Sequence, residues 1–250
     1  MIKCQVKTRI PTKEGLMQLW YYDHEGQEHL VLSHGNWTSA SLDLPSSCTN
    51  NDSDLPLVRL HSSCITSETF GSLRCDCADQ LDESIKRICQ VSRGCIIYLN
   101  QEGRGIGLLE KLKYFLKANL ISRAYNLIDR GHDTLSANLA LGHPPDARDY
   151  AVAADILKDF NVSAVRLLTN NPQKIQGLQE NGIQVVERVP LIPPSFTYPT
   201  TPQSSRSLSP QKLSERDQYL VVKAQRMGHL LDVTDCCSTM NSKKRRQSFS

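Results

Sequence analysis

The sequence predicts a mixed α/β fold: a β-rich N-terminal part followed by alternating strands and helices. Three observations carry that prediction. Short alternating segments occupy residues 1–35. From residue 57 to 187, apolar strands and amphipathic helices take turns. An apolar content of 39% over 250 residues supplies the core of one large domain. The charge balance points away from nucleic acid, since the net charge is only +3. No apolar run approaches the roughly 18 residues of a membrane span, so no membrane partner is expected. The N-terminus lacks the apolar stretch of an export signal. Nine cysteines in such a chain read as thiols or metal ligands of a reducing compartment rather than as disulfides. The expected location is cytoplasmic.

In chain order, Lys3–Ile10 reads as a strand, Pro11–Gly15 as a turn, Leu16–Tyr22 and His29–Ser33 as two more strands. Residues 36–54 are polar and rich in turn formers, hence a surface loop. Leu57–His61 is a strand. Residues 78–93 form a helix, because Leu81, Ile85, Ile88 and Cys89 recur at helical spacing. Gly94 is expected to end it, and Cys95–Leu99 is a buried strand with Cys89 and Cys95 in the core. Residues 108–129 and 136–141 read as helices, and another runs to Phe160 with Asp146 or Asp149 as its cap. Ala164–Thr169 is a buried strand. Asn171-Pro172 starts a helix that runs to about Asn181, by a cap followed by proline in the first turn. Ile183–Glu187 is the last strand. The catalytic domain is expected over 1–192. It is followed by a Pro/Ser-rich linker at 193–212, a helix at 213–232 and a basic disordered tail at 233–250. Lys243–Arg246 in that tail reads as a solvated run, with nuclear import as the alternative.

Chemistry concentrates in Val58–Gln80. Cys64, Cys75 and Cys77 stand in a C-x10-C-x-C spacing. Three thiolates leave one position of a four-coordinate zinc open, which is the catalytic pattern rather than the closed structural one. Spacing alone equally suits buried thiols. Thiolates at i and i+2 can face one ion only if the backbone turns between them. Downstream, Gln101-Glu102-Gly103-Arg104-Gly105-Ile106-Gly107 puts three glycines between a strand and a helix. Backbone amides there can approach an anion, Arg104 offers a fork for phosphate, and Glu102 could hold a divalent ion beside it. An ordinary strand-to-helix turn is the other reading.

Taken together, VRLHSSC, SLRCDC, QEGRGIGL, the DT–AN–LGH–P–D-x-RD-Y run, VRLLTNNPQK, ERVPL and a late MGHLL resemble GTP cyclohydrolase II. The resemblance implies the first committed step of riboflavin synthesis. GTP is opened at its imidazole ring, formate and pyrophosphate leave, and a diaminopyrimidinone ribosyl phosphate remains. It implies a homodimer with one zinc per subunit and magnesium accompanying GTP. Cys64, Cys75 and Cys77 match the zinc ligands. Tyr125 matches the tyrosine that orients the ring or transfers a proton. Arg148 matches the arginine assigned to attack the α-phosphorus, and Asp146 the proton acceptor. An electrostatic phosphate clamp is the alternative role of Arg148. Arg59, Leu60, His61, Ser62, Ser63, Gln80, Glu102, Gly103, Arg104, Thr134, Thr169 and Lys174 match GTP contacts.

The chain departs from the family pattern at several places. Ser63 stands where a glutamate is usual, Ser67 where glycine is usual and Asn100 where arginine is usual. Between Gly107 and Gly131 it is about ten residues longer than the family, which in a continuous helix adds ~15 Å. Tyr114 therefore competes with Tyr125 for the tyrosine position. A catalytically silent or divergent paralogue, binding nucleotide or serving pyrimidine catabolism, is the alternative function.

Overall fold

The computed structural model describes residues 2–39, 55–113 and 148–191. In chain order it contains β1 (Lys3–Thr12), β2 (Gly15–His24), β3 (Gln27–His34), β4 (Leu57–Ser62) and the one-turn helix α1 (Ile65–Glu68). Then come α2 (Cys77–Cys89), β5 (Gly94–Leu99), a 3-10 turn at Glu102–Gly105, α3 (Ala151–Asp159), β6 (Ala164–Leu168), α4 (Pro172–Glu180) and β7 (Gln184–Val189). Among the described residues the strands form one seven-stranded sheet in the order β1-β2-β3-β5-β4-β6-β7. The N-terminal half of the sheet is antiparallel, and β5, β4, β6 and β7 are parallel. This is the mixed α/β architecture that the alternation of segments predicts.

The N-terminal strands are longer than expected. Pro11, read as a turn residue, pairs with Leu16 inside β1. A proline is tolerated there because β1 is an edge strand and its missing N–H need not meet a neighbour. Glu25 and Gly26 both take positive φ in the two-residue turn between β2 and β3, the geometry that matches the twist of a hairpin.

Strand alternation sends side chains to two faces. Val58, Leu60, Cys95, Ile97, Leu99, Val165 and Leu167 pack with Ala153, Ala154, Ile156 and Leu157 of α3 and Leu178 of α4. Leu57, Ile96 and Leu168 pack with Ile88, Leu81, Ile85 and Cys89 of α2. The sheet is therefore sandwiched, with α2 on one side and α3 and α4 on the other. Phe160, just past α3, meets the rings of Trp20 and Trp37 edge-on, each at a centroid distance of 5.0 Å. This aromatic cluster ties α3 to the N-terminal hairpins, and so fixes the segment that carries Arg148.

Two expectations are corrected. α2 ends at Cys89, not beside Gly94, and Gly94 opens β5 without a positive φ. A Cβ at Gly94 would lie 2.9 Å from the Leu57 carbonyl and 3.0 Å from Ile88 and Val91 side-chain carbons. Close packing of α2 on the parallel strands, not helix termination, calls for glycine there. The helix read over 108–129 is described only through residue 113, which is helical. Its remainder, the helix at 136–141 and the segments beyond residue 191 lie outside the described residues. No helix among the described residues is long and apolar enough to cross a membrane.

Candidate metal and nucleotide site

Three parallel strands deliver the site. β4 ends at Ser62 and runs into Cys64. β5 ends at Leu99 and runs into Gln101–Arg104. β6 ends at Leu168 and runs into Thr169–Lys174. β4 has β5 on one side and β6 on the other, so the chain goes from β4 to β5 on one side and comes later to β6 on the other. The crevice beyond the carboxyl ends of strands at such a reversal is where open α/β sheets bind ligands.

Cys64 terminates the β4 loop as the N-cap of α1, and Cys77 is the first residue of α2. The bend at Cys75-Asp76 supplies the turn that the C-x-C spacing requires. The three Sγ atoms all lie within 4.8 Å of one another, and Cys64 and Cys75 are 3.7 Å apart. Four-coordinate zinc with Zn–S bonds of about 2.3 Å has tetrahedral S···S edges of about 3.8 Å. The donor set and its spacing thus fit a tetrahedral thiophilic ion. The thiols of Cys75 and Cys77 point at Cys64 and, with Lys111, hold it toward the thiolate form. The N-terminus of α2 adds a favourable dipole at Cys77.

The glycine loop is built in the left-handed region. Gly103, Arg104, Gly105 and Gly107 have φ of 63°, 64°, 88° and 87°. Arg104 holds that conformation without being glycine, a strain of the kind that collects at binding sites. Glu102 is buried and fully engaged. Its Oε2 accepts the Ile65 amide at 2.8 Å, and its Oε1 accepts Lys111 Nζ at 2.6 Å and the Gly103 amide at 3.2 Å. The sequence suggested a divalent-ion ligand there. The structure turns the carboxylate to protein donors, where it joins the glycine loop to the first cysteine loop.

Arg59 is buried on the α2 side. It donates to the Leu168 carbonyl at 3.1 Å and to Gln80 Oε1 at 2.7 Å, and Gln80 donates to Asp76 at 2.6 Å. Burial pushes the Arg59 guanidinium down to about 10, against the pull of Asp76, so it stays charged at neutral pH. Lys174 donates to the Leu60 carbonyl at 2.8 Å. Thr169 Oγ1 accepts the Asn171 amide at 3.0 Å, and Asn171 caps α4 as expected. Ser62 Oγ accepts from Gln101 at 3.0 Å. His61 stacks on Tyr98 and contacts Glu68 at 2.9 Å, while Tyr98 donates to the same carboxylate at 2.6 Å. Burial lowers the His61 pKa in spite of Glu68.

The departures from the family pattern find different fates. Ser67 is buried, and its Oγ accepts the Ala78 amide at 3.2 Å, bracing α1 against the start of α2. Ser63 Oγ is buried with no hydrogen-bond partner among the described residues. Asn100 receives no explanation beyond its amide, which donates to His29.

Arg148 lies in a groove with Tyr150, Gln173, Gln176, Gly177 and Glu180. It is close enough to Arg59 to disfavour that residue's charge. Asp149 Oδ1 accepts the Ala151 amide at 2.9 Å, but the N-cap of α3 is Tyr150, without a side-chain capping bond, and not Asp149. Asp146, Tyr125, Tyr114 and Thr134 lie outside the described residues. Sequence reasoning passed over Lys111, Thr66, Glu68 and Tyr98. Lys111 had one usable signal: it stands in the first turn after Gly107, where side chains tilt back toward the helix N-terminus.

Fold and site together define a class: an α/β protein with a three-thiolate, metal-competent cluster beside a left-handed glycine loop. A sequence model of the family GTP cyclohydrolase II matches residues 3–190. A GTP cyclohydrolase-2 of Picrophilus torridus is 40% identical over 231 residues, covering 92% of this chain and all of that one. A GTP cyclohydrolase-2 of Neisseria meningitidis is 38% identical, covering 92% and 98%. The riboflavin biosynthesis protein RibBA of Phocaeicola vulgatus is 38% identical, and this chain covers only 48% of its length. The chain belongs to the GTP cyclohydrolase II family.

Proposed function

We propose that the chain is a GTP cyclohydrolase II. It hydrolyses the imidazole ring of GTP, releases formate and pyrophosphate, and commits the product to riboflavin synthesis. The observation that carries this reading is the cysteine cluster. Three thiols sit at tetrahedral spacing, at the strand reversal where the glycine loop and the Arg59–Gln80 pair converge. Cys64, Cys75 and Cys77 hold zinc, chosen over iron by the thiolate set and the family likeness. Zinc supplies Lewis-acid activation of water toward the guanine ring.

The residues of the chain divide the remaining work. The family likeness assigns Arg59, Leu60, His61, Ser62, Ser63 and Gln80 to GTP contacts. Gly103 and Arg104 offer amides and a guanidinium to phosphate oxygens, and Thr169 and Lys174 approach from β6. Thr134 completes the GTP contacts. Glu102 acts by holding the glycine loop in place. Arg148 engages the α-phosphate, as nucleophile with Asp146 taking its proton or as a fixed positive clamp. The clamp demands less, because an arginine stays protonated. Tyr125 orients the ring or moves a proton, and magnesium travels with the triphosphate. The family likeness supports a homodimer. Phe70 and Leu73, both 75% exposed beside the cysteine loop, support an apolar contact. None of the six described cysteines is in a disulfide, which supports a reducing compartment such as the cytoplasm.

The test is incubation of purified protein with GTP, zinc and magnesium, with formate, pyrophosphate and the pyrimidine product measured. Stoichiometric formate and pyrophosphate are expected. Bound zinc and bound GTP with no formate would overturn the reading in favour of a silent paralogue.

A further inference from the structure

Lys111 is the one ammonium that reaches the cysteine cluster among the hydrogen bonds described. Its Nζ lies 2.6 Å from Glu102 Oε1, 2.9 Å from Thr66 Oγ1 and 3.2 Å from Cys64 Sγ. An ammonium has three protons to donate, and three acceptors stand around this one. The side chain is only 15% exposed, so a partnerless charge there would be costly. The acceptors belong to two different loops. Cys64 and Thr66 come from the loop after β4, and Glu102 from the loop after β5.

The stem of the side chain is also built into the site. A Cβ added to Gly103 would lie 3.2 Å from Lys111 Cβ and 3.9 Å from its Cδ. The lysine thus passes directly over the left-handed glycine loop on its way to the thiolate. Any side chain at position 103 would crowd it.

We propose that Lys111 is a positioning residue of the metal centre: it locks the glycine loop to the first ligand loop and fixes the orientation of Cys64. The inference rests on the reading of Cys64, Cys75 and Cys77 as metal ligands. Three thiolates overcompensate a divalent ion by one negative charge, and Lys111 brings to Cys64 an N–H donor and a positive charge that it shares with the Glu102 carboxylate. An N–H donor on a ligating sulfur also fixes the direction of its lone pairs, as outer-shell partners do for other ligands.

The test uses the full chain stripped of metal and titrated with cobalt(II), then with zinc against a competing chelator. Wild type should develop the near-ultraviolet thiolate-to-cobalt charge-transfer band and tetrahedral visible bands. Lys111→Met should bind both metals about 10- to 100-fold more weakly and shift the charge-transfer band, with the far-ultraviolet circular dichroism unchanged. Lys111→Arg should recover most of the affinity and the wild-type band. Should Lys111→Met fail to fold, Lys111→Leu, which likewise has neither charge nor donor, is read in the same way. Wild-type affinity and an unshifted band in the uncharged variant would overturn the role of Lys111 alone. Absence of a thiolate band in the wild type would overturn the metal reading itself, and this inference with it.

Discussion

Gly177→Ala tests the packing that holds Arg148. Gly177 lies inside α4 and faces the ring of Tyr150. A Cβ there would sit 2.6 Å from Tyr150 Cδ2, 3.1 Å from its Cβ and 3.2 Å from its Cγ. In an open helix interior this substitution stabilises by about 0.8–1 kcal/mol. Here the added methyl meets the ring and its stem together, well inside carbon–carbon contact distance. Tyr150 cannot swing aside easily, because it is 6% exposed and packed with Ala153 and Leu178 in the core. Overpacking of this kind costs about 1–3 kcal/mol. The clash therefore outweighs propensity, and a net loss of about 1 kcal/mol is expected, which lowers Tm by about 2–4 °C in a chain of this size. Arg148 stands two residues before Tyr150 and shares its groove with Gly177, so pyrophosphate release should fall while zinc content holds. Thermal unfolding in excess zinc and a pyrophosphate assay check both parts. A variant that melts above wild type with undiminished pyrophosphate release would refute the reasoning.

Three further perturbations address the site. Cys75→Ser removes one sulfur of a cluster whose Cys64–Cys75 edge is 3.7 Å. Zinc retained after dialysis, measured by elemental analysis, should drop toward zero together with ring opening, and retained zinc would exclude Cys75 as a ligand. Arg148→Ala should slow pyrophosphate release by about 100-fold, the scale of losing one preorganised charge stabiliser, and an unchanged rate would remove Arg148 from the chemistry. Ser63→Glu restores a carboxylate at a position whose present hydroxyl is buried without a partner among the described residues. GTP turnover should rise several-fold, and a fall would mean that the surroundings have adapted to serine.

The sequence made the strands and the cysteine cluster legible because each leaves a local trace. Leu81, Ile85, Ile88 and Cys89 announce the buried face of α2 by spacing, and they pack as that spacing implies. Asn171-Pro172 announces the α4 start, and Asn171 accepts the Gln173 amide. What stayed hidden depends on approach between distant segments. Gly94 looked like a helix stop, yet its role is set by the Leu57 carbonyl across the sheet. Glu102 looked like an ion ligand, and only the position of α1 and of Lys111 shows that its oxygens are taken. Lys111 itself left only the faint trace of its place in the first turn after Gly107, and its partners in two other loops show only in the structure. The position of Arg148 relative to Arg59 likewise follows from tertiary packing.

Lys111 also bears on the longer segment between Gly107 and Gly131. An insertion in a continuous helix rotates and displaces everything after it, so its effect depends on where the preceding chain is anchored. Lys111 donates to Thr66, Glu102 and Cys64, and its amide bonds to the Gly107 carbonyl at 3.2 Å. The helix start is therefore pinned to the cysteine cluster before residue 114, upstream of both tyrosine candidates. The proposed metal ligands lie before that point, whereas Tyr125, Thr134 and Asp146, proposed for the ring, for GTP contact and for proton transfer, follow it. A chain perturbed by its extra length should accordingly keep zinc affinity and lose turnover. A loss of zinc affinity cured by shortening the segment would contradict the anchoring role of Lys111.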